Sequence, residues 1–160
     1  MPTLVLVRHA QAAYSYPDHT RPLTHAGVDQ AARLGGVLSR EIGSFDVAVC
    51  SDAVRAQQTF AQISQRVSIR DSWCDRGVYN ADEEDILTLA RTFEGERALV
   101  VGHEPTISLA ARMLASGGLS ARTDFGFGFS TAMAVAGTVP AWGGVAAGDL
   151  RVERVLRPSA

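Results

Sequence analysis

The chain has 160 residues, of which 46% are hydrophobic and 20% charged, and a formal net charge of −2 at pH 7, the profile of one soluble globular domain. The small net charge and the lack of a Lys/Arg cluster argue against a nucleic-acid partner, and no stretch approaches the ~20 apolar residues of a membrane span. Two cysteines form no disulfide framework and no positively charged segment precedes the first apolar run, so we expect a cytoplasmic protein with one domain over residues 1–160.

The chain begins with a strand, a helix and a second strand. Residues 3–7 and 45–50 are short, apolar and rich in β-branched side chains, as buried strands are. Between them, apolar residues recur at helical spacing, and Thr24 stands where an N-cap belongs. Leu23 and Val28 are placed to pack on each other across this cap as a hydrophobic staple.

Three more helices and one more strand are predicted next. One helix covers residues 53–65, and another begins at the acidic residues 82–85, which suit the positive end of the helix dipole. Residues 98–101 have the pattern of a third buried strand. The last of these helices begins at Pro105, a favourable first-turn residue, and is expected to end at the glycine pair 117–118.

This order of elements predicts the architecture. Strands that alternate with helices form a mostly parallel sheet covered by helices on both faces, which is a three-layer α/β/α sandwich. Residues 130–136 and 149–156 are expected to add two strands to the sheet, one of them antiparallel.

Charged side chains follow each of the three predicted buried strands. Arg8 and His9 come directly after the first, Arg55 lies in the first turn of the helix after the second, and His103 and Glu104 follow the third. In open α/β sheets, ligands bind at this carboxyl edge, beside helix N-termini. We therefore expect these side chains to line one site.

The chemistry of that site follows from its positive charge. Clustered cations repel one another unless an anion lies among them, and the planar fork of arginine suits phosphate oxygens. Arg21, between His19 and His25 in the loop after the first strand, adds to this charge. The pattern predicts an oxyanion site. A metal site on the histidines is the alternative, but no carboxylate or cysteine completes a plausible ligand set, and we expect neither a metal nor another cofactor.

Four segments resemble the signature blocks of the histidine phosphatase superfamily, which includes the cofactor-dependent phosphoglycerate mutases. The short chain, the RPLT block and the absence of an inserted cap domain resemble its SixA-type phosphohistidine phosphatase branch. The resemblance implies the phosphoglycerate mutase-like fold and a phosphoryl substrate. The four segments are VRHAQA (7–12), RPLTHAG (21–27), SDAVRAQQT (51–59) and GHEPT (102–106).

The resemblance also implies roles for individual residues. The nucleophilic histidine of the family corresponds to His9, its two phosphate-binding arginines to Arg8 and Arg55, and its second histidine to His103. Arg21 matches a further anion-binding arginine of the SixA-type branch. We expect His103 to be protonated when it holds the phosphoryl oxygens.

The proton donor is left open. Cleavage of an ordinary phosphate ester needs an acid for the leaving alkoxide. Glu104 is one candidate, although it is also placed to cap the helix at Pro105. The acidic residues 82–85 are another, and helix capping explains them better. A third possibility is that no acid is needed, because a protonated imidazole departs readily. Tyr79 is expected to line the pocket.

These expectations favour a phosphatase that hydrolyses phosphohistidine, on a protein or a small mimic, through a phosphohistidine enzyme intermediate on His9. One alternative is a small-molecule phosphoester phosphatase or mutase of the same superfamily. The other is a catalytically silent module that binds phosphate or a phosphoprotein. The expected partner is thus a phosphorylated protein or small substrate, and we expect a monomer.

Overall fold

A computed structural model describes residues 1–117, 125 and 128–158. Within these residues, six strands form one sheet: β1 Thr3–Arg8, β2 Phe45–Ser51, β3 Ile69–Asp75, β4 Arg97–Gly102, β5 Ala134–Thr138 and β6 Arg151–Leu156. Their spatial order is β3-β2-β4-β1-β5-β6. The first four strands run parallel to one another, and β5 runs antiparallel to both of its neighbours. The mostly parallel sheet with one antiparallel strand is confirmed.

Helices cover both faces of the sheet. They are α1 His25–Glu41, α2 Val54–Ser64, the short α3 Arg76–Tyr79, α4 Glu83–Ala90 and α5 Thr106–Leu114, and a 3₁₀ turn covers Asp18–Thr20. Side chains alternate along β1, so that Leu4 and Leu6 pack against α4 and α5, whereas Val5 and Val7 pack against α1 and α2. The fold is therefore the expected three-layer sandwich. No helix in the described part of the chain is long and apolar enough to cross a membrane.

At the start of α1, the predicted N-cap is present but the predicted hydrophobic staple is not. The Thr24 side chain accepts a hydrogen bond from the backbone N–H of Gly27, as an N-cap should. The expected staple is wrong, because Val28 is 38% exposed. Gly27 faces the interior instead, where an added Cβ would lie 2.0 Å from the carbonyl oxygen of Gln11. The helix therefore turns its glycine, and not its valine, toward the first loop.

Several strand and helix boundaries differ from the predicted ones, and one strand was not predicted. The sequence pattern did not indicate β3, because most of this edge strand is exposed and four of its seven side chains are polar or charged. The predicted strands at 130–136 and 149–156 begin later, as β5 and β6. Pro105 caps α5 from outside, and the helix ends at Leu114, where Ala115 bridges to Leu150. Gly118 lies outside the described residues.

Candidate active site

The carboxyl ends of β1, β2 and β4 bring four of the predicted residues together. Arg8 ends β1 opposite Gly102 at the end of β4, so His9 and His103 emerge side by side with ring centroids 5.1 Å apart. Arg55, in the first turn of α2, donates a hydrogen bond from Nε to Nε2 of His9 at 3.3 Å. Parallel strands in register place these side chains within one cluster.

His9 has its ring fixed by one backbone contact. Its Nδ1 lies 2.7 Å from the carbonyl oxygen of Ala10, which can only accept, so Nδ1 carries the proton and Nε2 keeps its lone pair. Burial lowers the pKa of His9 to about 4, against the opposing effect of the Ala10 hydrogen bond and with the help of the Arg55 and Arg8 charges. His9 is therefore neutral at pH 7, as a nucleophile must be.

His103 is also neutral at pH 7. Burial lowers the pKa of His103 to about 3, followed by the repulsion that a protonated His103 would meet from His9 once that ring is also protonated, and by the Arg55 charge. Its Nε2 lies 2.7 Å from Oγ of Ser51, while its buried Nδ1 has no hydrogen-bond partner among the described residues. The expected protonated state of His103 therefore requires a neighbouring negative charge, such as that of a phosphoryl group, to raise this pKa.

Arg8 and Arg21 line the cleft that leads to His9. Arg8 donates from Nη1 to the carbonyl oxygen of Phe129 at 2.8 Å, and its buried Nε has no partner in the part of the chain that the structure describes. Arg21 is held through Nε by the carbonyl oxygen of Ala13 at 2.9 Å, with Tyr14 beneath its guanidinium. The cleft has a volume of about 510 Å³. Unpartnered buried N–H groups beside an open cleft are what an oxyanion site requires.

Asp18 lies in the same cluster, and the sequence reasoning missed it. Its carboxylate accepts hydrogen bonds from the Tyr79 hydroxyl at 2.6 Å, from Arg55 Nη2 at 3.1 Å and from Arg21 Nη1 at 3.2 Å. The Tyr79 hydrogen bond, followed by those from Arg55 and Arg21, holds the pKa of this carboxyl well below its ordinary range. Its only signal in the sequence is a position three residues before Arg21.

Tyr79 lies on α3, beside His103 and His19. Its ring meets those of His103 and His19 edge-on, at centroid distances of 5.5 and 5.0 Å. His19 is tied to the rim by a 2.9 Å contact between Nε2 and Asp52. His25 is exposed at the start of α1. Of these two loop histidines, only His19 contributes to the surroundings of the site.

Three of the candidate acids, Glu104, Asp82 and Asp85, accept hydrogen bonds from backbone or hydroxyl groups. Glu104 accepts from the backbone N–H of Ser108 at 2.9 Å, from the Ser108 hydroxyl at 2.8 Å and from the backbone N–H of Phe129 at 3.0 Å. Asp82 and Asp85 cap α4 reciprocally as a capping box. These contacts give Glu104 a structural role, because its oxygens hold the start of α5 and the backbone of Phe129. Through Phe129, Glu104 also supports the carbonyl that holds Arg8.

The described residues contain no group of three or more His, Cys, Asp or Glu side chains that could hold a metal ion. The two cysteines are free; Cys50 is buried and Cys74 is exposed on β3. The chemistry available at the site is therefore that of a neutral imidazole surrounded by arginines.

Comparison with known proteins gives consistent matches. A sequence model of the histidine phosphatase superfamily (branch 1) matches residues 4–78. The uncharacterized protein Rv1276c of Mycobacterium tuberculosis is 37% identical over 113 residues, which are 69% of this chain and 70% of that protein. The solved structure of a SixA protein from Nakamurella multipartitia, assigned as a phosphohistidine phosphatase, is 30% identical with a TM-score of 0.85 and covers 99% of this chain and 97% of its own.

A third match concerns the fold alone. The structure of the protein histidine phosphatase SixA complexed with tungstate has a TM-score of 0.81 at 18% identity, over 98% of this chain and 97% of that one. The described architecture is thus shared along nearly the whole of this chain and of both solved chains.

Proposed function

This chain belongs to the histidine phosphatase superfamily, and on that basis we propose that it hydrolyses phosphohistidine, on a protein or a small mimic, through a phosphoryl group held transiently on His9. Phosphatase chemistry comes with the family. The observation that supports the further proposal most is the state of His9: a buried neutral imidazole whose Nε2 lone pair accepts a long 3.3 Å hydrogen bond from Arg55, with the Arg8 charge nearby.

The first step is attack by His9. The Nε2 lone pair forms a bond to phosphorus, and the bond from phosphorus to the leaving group breaks on the opposite side. Charge spreads over the three equatorial oxygens in the transition state, so fixed donors supply most of the rate enhancement. Two guanidinium groups can donate to these oxygens. Arg55 Nε becomes available when His9 Nε2 bonds to phosphorus, and Arg8 Nε has no partner among the described residues.

His103 completes the set of donors. Ser51 Oγ already accepts from the backbone N–H of Ala53 at 3.1 Å, so its own proton can be donated to His103 Nε2. That leaves the proton of His103 on Nδ1, the atom without a partner, where it can bind a phosphoryl oxygen. Water then attacks the phosphohistidine enzyme, releases phosphate and returns His9 to its neutral state.

The preference for phosphohistidine over a phosphate ester is inferred from the state of the candidate proton donors. Glu104, Asp82 and Asp85 are each committed to holding backbone or hydroxyl groups. An alkoxide leaving group would depart slowly without a proton, whereas a protonated imidazole departs as a neutral ring. The likeness to the SixA protein supports the same preference.

A side-by-side assay tests the proposal. Purified protein should release phosphate from phosphohistidine much faster than from an alkyl phosphate ester. Rapid quenching should trap phosphate on His9 with the acid-labile, base-stable behaviour of an N–P bond. His9→Ala should abolish both signals, and His25→Ala, which changes an exposed histidine on α1, is the matched control. Fast ester hydrolysis without phosphohistidine turnover would instead indicate a small-molecule phosphatase, and absence of all turnover a binding module.

A further inference from the structure

Asp18 places a negative charge at the mouth of a site that is otherwise positive. All three of its side-chain partners belong to the groups that surround the phosphoryl position: Arg55, Arg21 and Tyr79. Its backbone carbonyl also accepts from Arg55 Nη1 at 2.8 Å, so that one residue contacts both terminal nitrogens of this guanidinium. The 3₁₀ turn at Asp18–Thr20 keeps the carboxylate in this place.

The charged and catalytic side chains of the site lie at different depths below the protein surface. His9 is 7% exposed, and the Arg55 side chain is equally buried at 7%, but the Asp18 side chain is 53% exposed. In-line displacement sends the leaving group away from the attacking nitrogen. A phosphoryl group seated on His9 therefore directs its leaving group outward, into the layer where Asp18 lies.

We propose that Asp18 is a specificity-determining residue, which selects phosphoryl compounds whose leaving group carries positive charge and disfavours those with a second anion beside the phosphoryl group. The proposal rests on the proposed phosphatase function and names its substrate class more narrowly. Phosphoramidates of nitrogen bases, of which the protonated phosphohistidine ring is one, fit this description. Phosphorylated sugar acids do not.

The chemical step balances without an acid from the protein. The leaving ring binds protonated at the nitrogen that does not carry phosphorus, and the nearby carboxylate favours this cation. As the bond from His9 Nε2 to phosphorus forms, the old P–N bond breaks and its electron pair stays on the departing nitrogen. The ring leaves as neutral imidazole with the proton that it brought, and Asp18 remains ionised throughout.

The charge effect can be measured without any turnover. Three phosphonates that cannot be hydrolysed are compared at a pH at which each phosphonate group is a dianion, so that they differ only in their second group. Aminomethylphosphonate carries an ammonium, methylphosphonate is neutral there, and phosphonoacetate carries a carboxylate. Calorimetric Kd values on the wild-type protein should rise in that order. In Asp18→Asn the ratio of the phosphonoacetate Kd to the aminomethylphosphonate Kd should fall by about tenfold or more, the order expected for a unit charge some 5 Å away in a partly hydrated mouth.

Two variants serve as controls. Asp18→Glu keeps the charge and should keep the ranking. Asp29→Asn removes an exposed carboxylate that pairs with Arg33 on α1, and it should leave all three Kd values unchanged. If Asp18→Asn fails to melt cooperatively, the wild-type ratio remains decisive: it should shrink as ionic strength rises from about 0.01 M to about 1 M, because the Debye length falls from about 30 Å to about 3 Å.

The opposing results are distinct. Equal weakening of all three phosphonates in Asp18→Asn would mean that Asp18 only positions Arg55, and no ranking in the wild-type protein would also overturn the proposal. A wild-type protein that ranks the phosphonates as stated, yet does not hydrolyse phosphohistidine, would support the role of Asp18 and refute the proposed catalytic function. The two conclusions therefore fail separately.

Discussion

Lowering the pH from 7 to 5 should destabilise the folded protein through His9. Burial lowers the pKa of this histidine from an ordinary 6.5 to about 4. The unfolded chain therefore binds a proton at this ring below pH 6.5, whereas the folded protein binds it only below about pH 4. The contribution of His9 to the free energy of unfolding is therefore constant above pH 6.5 and is lost as the pH falls from 6.5 to about 4. At pH 5 the loss is about 2 kcal/mol, since each pKa unit is worth about 1.4 kcal/mol.

Urea unfolding at both pH values measures this loss. The free energy of unfolding of the wild-type protein should fall by about 2 kcal/mol more than that of His9→Gln, in which no ring at this position can titrate. The carboxylates and His103, whose pKa is also lowered, titrate in both proteins, so their contributions largely cancel in the comparison. His25→Gln, which removes an exposed histidine, should behave like the wild type. If the wild type and His9→Gln lose the same free energy, His9 titrates alike in the folded and unfolded chains, and the argument for a neutral nucleophile held by burial is refuted.

Replacing Arg55 by Ala should lower kcat by about 10²–10³-fold. Arg55→Lys should restore little of this activity, because an ammonium cannot hydrogen-bond to His9 and Asp18 with the geometry of the guanidinium. Near-full steady-state activity of the lysine variant would contradict this. Glu104→Gln should lower the melting temperature and reduce phosphohistidine and ester hydrolysis by one common factor, since its oxygens hold α5 and Phe129; a loss confined to the ester would restore its role as an acid. Activity should persist after EDTA treatment, because the described residues offer no cluster of metal ligands; a loss reversed by a divalent ion would argue for a metal.

Much of the candidate site was predictable from local signals. Short apolar runs locate the buried strands, and the carboxyl ends of parallel strands meet at one edge of a sheet. Arg8, His9, Arg55 and His103 could therefore be grouped before any contact was known. The motif blocks in which these residues lie then indicated phosphoryl chemistry. Backbone hydrogen bonding and strand burial act over a few residues, so such information is contained in the sequence itself.

Only the tertiary structure revealed the rest of the site. Asp18 lies in a polar loop without periodicity, and its role arises from contacts with residues 37 and 61 positions further along the chain, Arg55 and Tyr79. The exposed strand β3, which leads into the helix that carries Tyr79, has no continuous apolar face for a pattern to detect. Glu104 could be an acid or a helix support until its three donors were in place. The neutral state of His9 and His103 depends on burial and on neighbouring arginines. Such effects come from the packing of segments distant in sequence, which no local pattern specifies.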